Sequence, residues 1–135
     1  MTDPFDDDAP TTSIRLVDLY TATRPALLAL IDSVAPHASR RPAEPVSAAT
    51  LDAARPIFSA VRKICSREPG ARASLELRPP LDWAGFATKL ALAQSALHRF
   101  HTAYRDVDMA TLTGYWRTPG AAESFLQQNG LDEND

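Results

Sequence analysis

The sequence is poor in cysteine and glycine, and this scarcity excludes several kinds of site. Cys65 is the single cysteine among 135 residues, and there are five glycines. One cysteine cannot form an internal disulfide framework or a zinc site built from several thiolates. No glycine-rich phosphate loop, nucleophile elbow or zinc-protease motif is present. We therefore expect no metal and no small-molecule cofactor.

Long apolar runs are also missing. No stretch approaches the roughly 18 consecutive apolar residues that a membrane-spanning helix needs. The first ten residues, MTDPFDDDAP, are acidic, whereas a secretory signal begins with basic residues followed by an apolar segment. We expect a cytoplasmic protein with no membrane partner, and secretion without a cleaved signal peptide stays open.

The net charge of −3 is unevenly distributed along the chain. Four aspartates lie within the first ten residues, and three acidic side chains lie within the last six. Between residues 55 and 78, six basic side chains oppose two glutamates, which leaves a net charge of +4. Acidic segments without apolar periodicity bury too little surface to offset their ordering entropy. We predict disordered acidic tails at 1–12 and 132–135 and a single helical domain at 13–131.

Apolar periodicity predicts an all-α fold, a small bundle of four to five helices with proline-rich connections. The predicted helices cover residues 14–34, 51–66, 82–104 and 118–128. Ser13 or Thr12 is expected to cap the first helix, and Ser47 or Thr50 to begin the second. With 44% apolar residues, the chain can bury one core and is too short for two ordinary domains.

Three prolines interrupt the first two helical patterns. A proline inside a helix removes one hydrogen bond and clashes with the preceding turn. We therefore expect either a kink at Pro25 or a second helix that begins near Thr23, a stop at Pro36, and a helix that begins near Asp52 or bends at Pro56. Residues 36–46 are expected to form an exposed connection in which His37 is solvated.

The 82–104 helix has the strongest pattern and is predicted to be the long central helix. Asp82 is a favourable N-cap, and large apolar residues then recur at spacings of four and three. These residues are Phe86, Leu90, Ala93, Leu97, Phe100 and Tyr104.

Two shorter segments have less regular patterns. Residues 73–78 alternate between apolar and polar side chains, which fits a strand or an extended crossing that covers the helices. We favour the crossing, because a strand without a partner is rarely stable. Residues 111–117 are interpreted as a turn region around Gly114.

Candidate catalytic groups are few. His98 and His101 are three residues apart and can share a helix face, but no further metal ligand is evident beside them. Cys65 lies on the apolar side of its helix, where a buried thiol is more common than a reactive one. The carboxylates concentrate in the tails, away from an apolar cleft that could hold an acid–base pair. We predict that the protein is not an enzyme.

Two short motifs resemble signals of a known family. Trp83-Ala84-Gly85 is similar to the WxG turn, and Tyr104 with Asp108 is similar to the YxxxD signal, of the small helical substrates of type VII secretion. In that family the WxG motif lies in the turn between two helices. Trp83 here follows Pro79-Pro80, so we do not assign the chain to the family, and we predict that Trp83 and Tyr104 lie in the core.

The preferred functional hypothesis is a non-enzymatic protein–protein interaction module, such as an adaptor, inhibitor, chaperone or effector, whose helical face binds another protein or a second copy. The alternative is a small regulator that binds nucleic acid through the basic 55–78 stretch. The candidate partner-binding residues are Arg55, Arg62, Lys63, Arg67, Arg72, Tyr115, Trp116 and Arg117. The three last residues either close the end of the bundle or form an exposed aromatic–arginine anchor.

Overall fold

The computed structural model describes residues 10–119, and most of this part is helical, as predicted. Its elements are α1 (Ile14–Arg40), α2 (Ala48–Ile64), α3 (Ala71–Ser74), α4 (Trp83–Tyr104), β1 (Arg105–Asp108) and β2 (Thr113–Trp116). The three long helices pack against one another around one hydrophobic core. Among residues 10–119, no helix is both long and apolar enough to cross a membrane.

Helix α1 continues through both of its prolines. Ser13 caps it, with the side-chain oxygen accepting a hydrogen bond from the Leu16 amide at 3.2 Å. The predicted stop at Pro36 and the second helix start predicted near Thr23 are wrong. Leu27 and Val34 follow Pro25 and are almost completely buried, and their burial offsets the roughly 3 kcal/mol that an interior proline costs.

Helix α2 begins earlier than Asp52 and runs through Pro56. Ser47 is its N-cap and accepts a hydrogen bond from the Thr50 amide at 3.2 Å. Its buried face extends on both sides of the exposed Pro56, from Leu51 to Ile64. Packing of this whole face again outweighs the local cost of the proline.

The segment after α2 differs in part from the predicted crossing. Gly70, with φ of 78°, precedes the single helical turn of α3, so Ala73 and Ser74 are helical and not extended. Leu75 and Leu77 are buried in the core as expected of a crossing. Lys89 ties α3 to α4 by donating a hydrogen bond to the Ser74 carbonyl at 2.7 Å.

Helix α4 has the predicted bounds and the predicted N-cap. The Asp82 carboxylate accepts a hydrogen bond from the Gly85 amide at 2.7 Å. The predicted apolar stripe is buried from Phe86 to Phe100, and Tyr104 is half-buried. Trp83 is in the first turn of α4 and packs into the core, so it does not lie in a turn between two helices.

A two-stranded antiparallel hairpin follows α4 directly, and residues 113–116 therefore form a strand instead of the predicted turn region. Arg105 pairs with Trp116 and Val107 pairs with Gly114. A Cβ at Gly114 would lie 2.6 Å from Nη2 of Arg105, so a larger residue here would require the flexible end of the Arg105 side chain to move. Four-residue strands carry too short an alternation to be recognised in the sequence, and this small sheet is an addition to the mostly helical structure that was predicted.

The hairpin also contacts the start of the described chain. The Thr12 amide donates a hydrogen bond to the Arg117 carbonyl at 2.8 Å, and Thr12 is buried. The predicted acidic tail therefore ends in a residue that packs against the hairpin. The rest of that tail up to residue 9, the predicted helix after Pro119 and the C-terminal tail lie outside the described residues.

Candidate functional site

Three of the basic candidate residues lie together on one surface. Arg55 and Arg62 from α2 and Arg72 from α3 surround Leu77, and Arg78 joins them. We call the hollow between these four side chains the arginine hollow; it has a volume of about 300 Å³. Arg55 and Arg62 are seven residues apart on α2, so the helical repeat places them on one face two turns apart.

The other two basic candidates lie elsewhere. Lys63 is exposed on α2 and does not line the arginine hollow. Arg67 follows the end of α2, where its Nη1 donates a hydrogen bond to the Thr11 carbonyl at 2.8 Å. The same Nη1 is 3.5 Å from the hydroxyl of Tyr104. Arg67 thus connects the start of the described chain with the end of α4.

The aromatic–arginine candidates belong to the hairpin and serve its packing. Tyr115 is buried, and Trp116 is half-buried. The Trp116 ring packs against Tyr20 and Phe100, with ring centroids 5.1 and 5.7 Å apart. The Arg117 Nη1 donates to Asp106 Oδ2 at 3.1 Å, and its Nη2 donates to the Ala103 carbonyl. The side chains of Trp116 and Arg117 therefore close this end of the helical bundle.

A concave surface between α1 and α4 was not recognised from the sequence. We call it the α1–α4 groove; its volume is about 900 Å³. Its apolar lining comes from both helices and from the hairpin, namely Tyr20, Leu27, Leu28, Leu97 and Trp116. Its polar lining consists of Arg24, Gln94, Ser95, His98, Arg99 and His101.

The α1–α4 groove has a basic rim. Arg24, His98, Arg99 and His101 are exposed at its edge, and no acidic side chain lines it within the described part of the chain. Glu68 lies behind Arg99 and forms an ion pair with it. The rim therefore carries a positive charge above an apolar floor.

Burial and neighbouring cations affect two rings in the groove. Burial lowers the pKa of His101, and the charges of Arg105, His98 and Arg24 lower it further. Burial also raises the pKa of Tyr20, although Arg24 and Arg105 act in the opposite direction. Both rings are therefore neutral at pH 7, and they contribute hydrogen-bonding edges and not charge.

A sequence signal for the α1–α4 groove does exist in retrospect. Tyr20, Arg24 and Leu27 follow a four–three spacing on α1, and Gln94, His98 and His101 follow it on α4. The α1 triplet therefore mixes apolar and basic groups on one helix face, and the α4 triplet places polar and basic groups on one face. The shared face of His98 and His101 could be recognised from the sequence, whereas the helix that lies opposite could not.

Cys65 is buried as predicted, and its surroundings disfavour the reactive thiolate form. Its thiol donates a hydrogen bond to the Ala96 carbonyl at 3.6 Å. Burial raises the pKa of Cys65 to about 11, the nearby charge of Glu68 adds to this effect, and Arg99 opposes it. At neutral pH the group is a thiol and not the nucleophilic thiolate.

Within residues 10–119, no group of three or more His, Cys, Asp or Glu side chains is placed to hold a metal ion. His98 and His101 line the α1–α4 groove beside Arg24 and Arg99. The groove thus offers two imidazoles and two guanidinium groups to a ligand.

Comparisons of the chain with protein-family models, with curated proteins and with solved structures find no significant match.

Proposed function

We propose that this chain is a non-enzymatic protein-interaction module whose α1–α4 groove holds an acidic amphipathic helix of a partner protein. The observation that carries the proposal is the combination of an apolar floor with a basic rim in one groove of about 900 Å³. Amphipathic helices commonly bind in such grooves by inserting apolar anchors spaced at three and four residues.

The apolar floor supplies the anchor positions. Leu28 is half-buried between the exposed rim and the core, and Trp116 presents part of its ring to the same groove. Desolvation of such partly exposed apolar groups favours binding by about 25 cal/mol per Å² of apolar surface buried. Aromatic and arginine side chains are also enriched among residues that dominate binding energy.

The rim favours acidic over basic partners. Arg24 and Arg99 are permanently charged, and His98 adds a donor at the same edge. Acidic side chains flanking the apolar anchors of a partner helix would complement this charge and increase the rate of encounter. A symmetric dimer that pairs one groove with the same groove of a second copy would instead oppose like charges.

The chemistry of the described residues supports a binding role over catalysis. Cys65 is buried as a thiol.

The separation of Lys63 and Arg67 from the arginine hollow weighs against a nucleic-acid regulator, since an extended strand is bound by several cations along one surface.

The test is a titration with two synthetic helical peptides that share leucine anchors. One peptide carries glutamates beside the anchors, and its matched control carries lysines at the same positions. We expect saturable binding of the glutamate peptide, followed by tryptophan fluorescence, to which both Trp116 and Trp83 contribute, and by amide chemical shifts along the α1–α4 groove. Equal binding of both peptides, or binding that shifts amides elsewhere, would contradict the proposal.

Matched variants localise the binding. Arg24→Gln removes a rim charge and is expected to weaken binding about three-fold, the scale of an exposed ion pair. Arg15→Gln removes the same charge from an exposed position on α1 that does not line the groove, and its affinity should stay within about two-fold. Sedimentation with and without peptide distinguishes peptide binding from self-association. Self-association would appear as a dimer that persists when the peptide is added.

A further inference from the structure

A second, slightly larger hollow lies beside the arginine hollow. The neighbouring hollow, of about 350 Å³, is lined by Pro56, Phe58 and Ser59 and shares Arg55, Arg62 and Leu77 with the arginine hollow. The two hollows therefore form one concave surface. It is basic on one side and partly apolar on the other.

Two of the guanidinium groups are held in place by backbone carbonyls. Nη1 of Arg55 donates a hydrogen bond to the Leu77 carbonyl at 3.3 Å, and Nη1 of Arg62 donates to the Leu75 carbonyl at 3.3 Å. Leu75 and Leu77 are themselves buried in the core. Because a guanidinium has five N–H donors in a planar fork, these bonds orient the group while leaving donors for an anion.

The local charge in the arginine hollow is not balanced by its own residues. Four arginines line it, and Glu76 is its single acidic residue. Glu76 bonds to Arg78, with Nη2 and Oε2 2.6 Å apart. Asp52 accepts a bond from Arg55 at 3.4 Å, on the side of the neighbouring hollow. Arg62 and Arg72 thus face the hollow without an acidic partner within ion-pair distance among the described residues.

We propose that the arginine hollow is a binding site for a phosphate group, either free phosphate or the terminal phosphate ester of a small molecule. Arg55 and Arg62 provide oriented donors, and Arg72 provides charge from α3. Arginine forks match the oxygen geometry of phosphate and form bidentate charge-assisted hydrogen bonds with it. In an ester, the organic part would lie over Pro56 in the neighbouring hollow.

The size of the site favours a single phosphate group over a nucleic-acid strand. A strand presents repeated phosphodiesters and is bound along a groove that extends beyond one hollow. Lys63 and Arg67, which could extend the basic surface along the chain, lie outside the hollow. This proposal is independent of the α1–α4 groove, because the two surfaces share no lining residue.

The experiment is a calorimetric and NMR titration of the full chain at low salt. Its probes are inorganic phosphate, adenosine monophosphate, adenosine, and a single-stranded oligonucleotide. We expect saturable binding of one phosphate per chain, with amide chemical-shift changes around Leu75 and Leu77. If the neighbouring hollow holds the organic part, adenosine monophosphate should bind more tightly than inorganic phosphate. Adenosine without phosphate should not bind.

A neighbouring residue on the same helix provides the control. Arg62→Gln should weaken phosphate binding at least about ten-fold, which corresponds to the loss of a bidentate charged contact. Lys63→Gln removes an equal charge from the next position and should change the affinity less than about two-fold. Arg72→Gln, at an exposed position, tests the same site if the Arg62 variant folds poorly.

Three results would overturn the proposal. The first is the lack of saturable phosphate binding. The second is an equal loss of affinity in the Arg62 and Lys63 variants, which would indicate a general charge effect. The third is tighter binding of the oligonucleotide than of the monophosphate, with an affinity that falls steeply with salt and depends on Lys63 and Arg67. That result would favour a nucleic-acid interface.

Discussion

The imidazole of His37 is stacked on the indole of Trp83, with ring centroids 4.5 Å apart and ring planes inclined by 15°. This contact joins the last turn of α1 to the first turn of α4. The connection between α1 and α2 contributes as well, because the Trp83 amide donates to the Glu44 carbonyl and the Ala84 amide donates to the Pro42 carbonyl, both at 3.0 Å. The proline-rich connection therefore supplies acceptors for the unpaired amides at the start of α4.

Removal of the His37 ring should destabilise the fold. His37→Ala loses the stack on Trp83, and we expect a decrease of about 1 kcal/mol in the free energy of unfolding. The measurement is urea denaturation at pH 7. His98→Ala makes the same chemical change at an exposed position on α4 and should have a smaller effect. Equal effects of the two variants would show that the stack adds no stability.

The two leucines at positions 90 and 92 test the orientation of α4. Leu90 is 2% exposed in the core, whereas Leu92 on the same helix is 41% exposed. Leu90→Ala should cost about 2–5 kcal/mol of unfolding free energy, because it leaves a cavity. Leu92→Ala should stay within about 0.5 kcal/mol. A larger loss for Leu92 in thermal or urea unfolding would contradict the placement of the apolar stripe.

Helix α4 could be predicted from the sequence in both its bounds and its buried face. The reason is local: Asp82 is a good N-cap, no proline interrupts the next 22 residues, and the apolar spacing is regular. Local signals of this kind agree with the final packing in α4. The prediction that Cys65 is buried succeeded for the same reason, because the residue continues the apolar pattern of α2.

The features that the sequence did not reveal depend on contacts between distant residues. Pro25 and Pro36 oppose helix locally, and only the burial of Leu27 and Val34 against other helices explains why α1 continues. The hairpin depends on the packing of Trp116 against Tyr20, almost a hundred positions earlier in the chain. The α1–α4 groove exists only once two helices are paired, so no pattern within one helix could define it.

The ion pair between Arg117 and Asp106 should couple the two strands of the hairpin. The Arg117 side chain is 19% exposed, and Nη1 to Oδ2 is 3.1 Å. We expect Arg117→Gln and Asp106→Asn each to lower the unfolding free energy by about 1 kcal/mol or more. In the double variant the loss should be smaller than the sum of the two single losses. Strictly additive losses would show that the two side chains do not interact.

The thiol of Cys65 should resist alkylation in the folded protein. The rise of its pKa from 9.0 to about 11 reduces the thiolate fraction at pH 8 about 100-fold, and burial limits access of the reagent. Labelling with an alkylating agent should therefore be slow under native conditions and fast in urea. Rapid native labelling would mean that the end of α2 opens often, and mass spectrometry of timed samples measures this rate.

The depressed pKa of His101 should make the fold less stable in mild acid. Burial and the charges of Arg105, His98 and Arg24 lower the pKa of His101 below 6.5, while the unfolded chain keeps the ordinary value near 6.5. Between these two values the unfolded chain binds more protons, so stability falls as the pH falls from 6.5 through the folded pKa. His101→Gln should flatten this part of the stability curve. NMR titration should give a midpoint below 6.5 for the His101 ring, and Arg24→Gln should raise that midpoint because one repulsive charge is removed. A midpoint at or above 6.5 would contradict the packing of this ring against Tyr20 and Trp116.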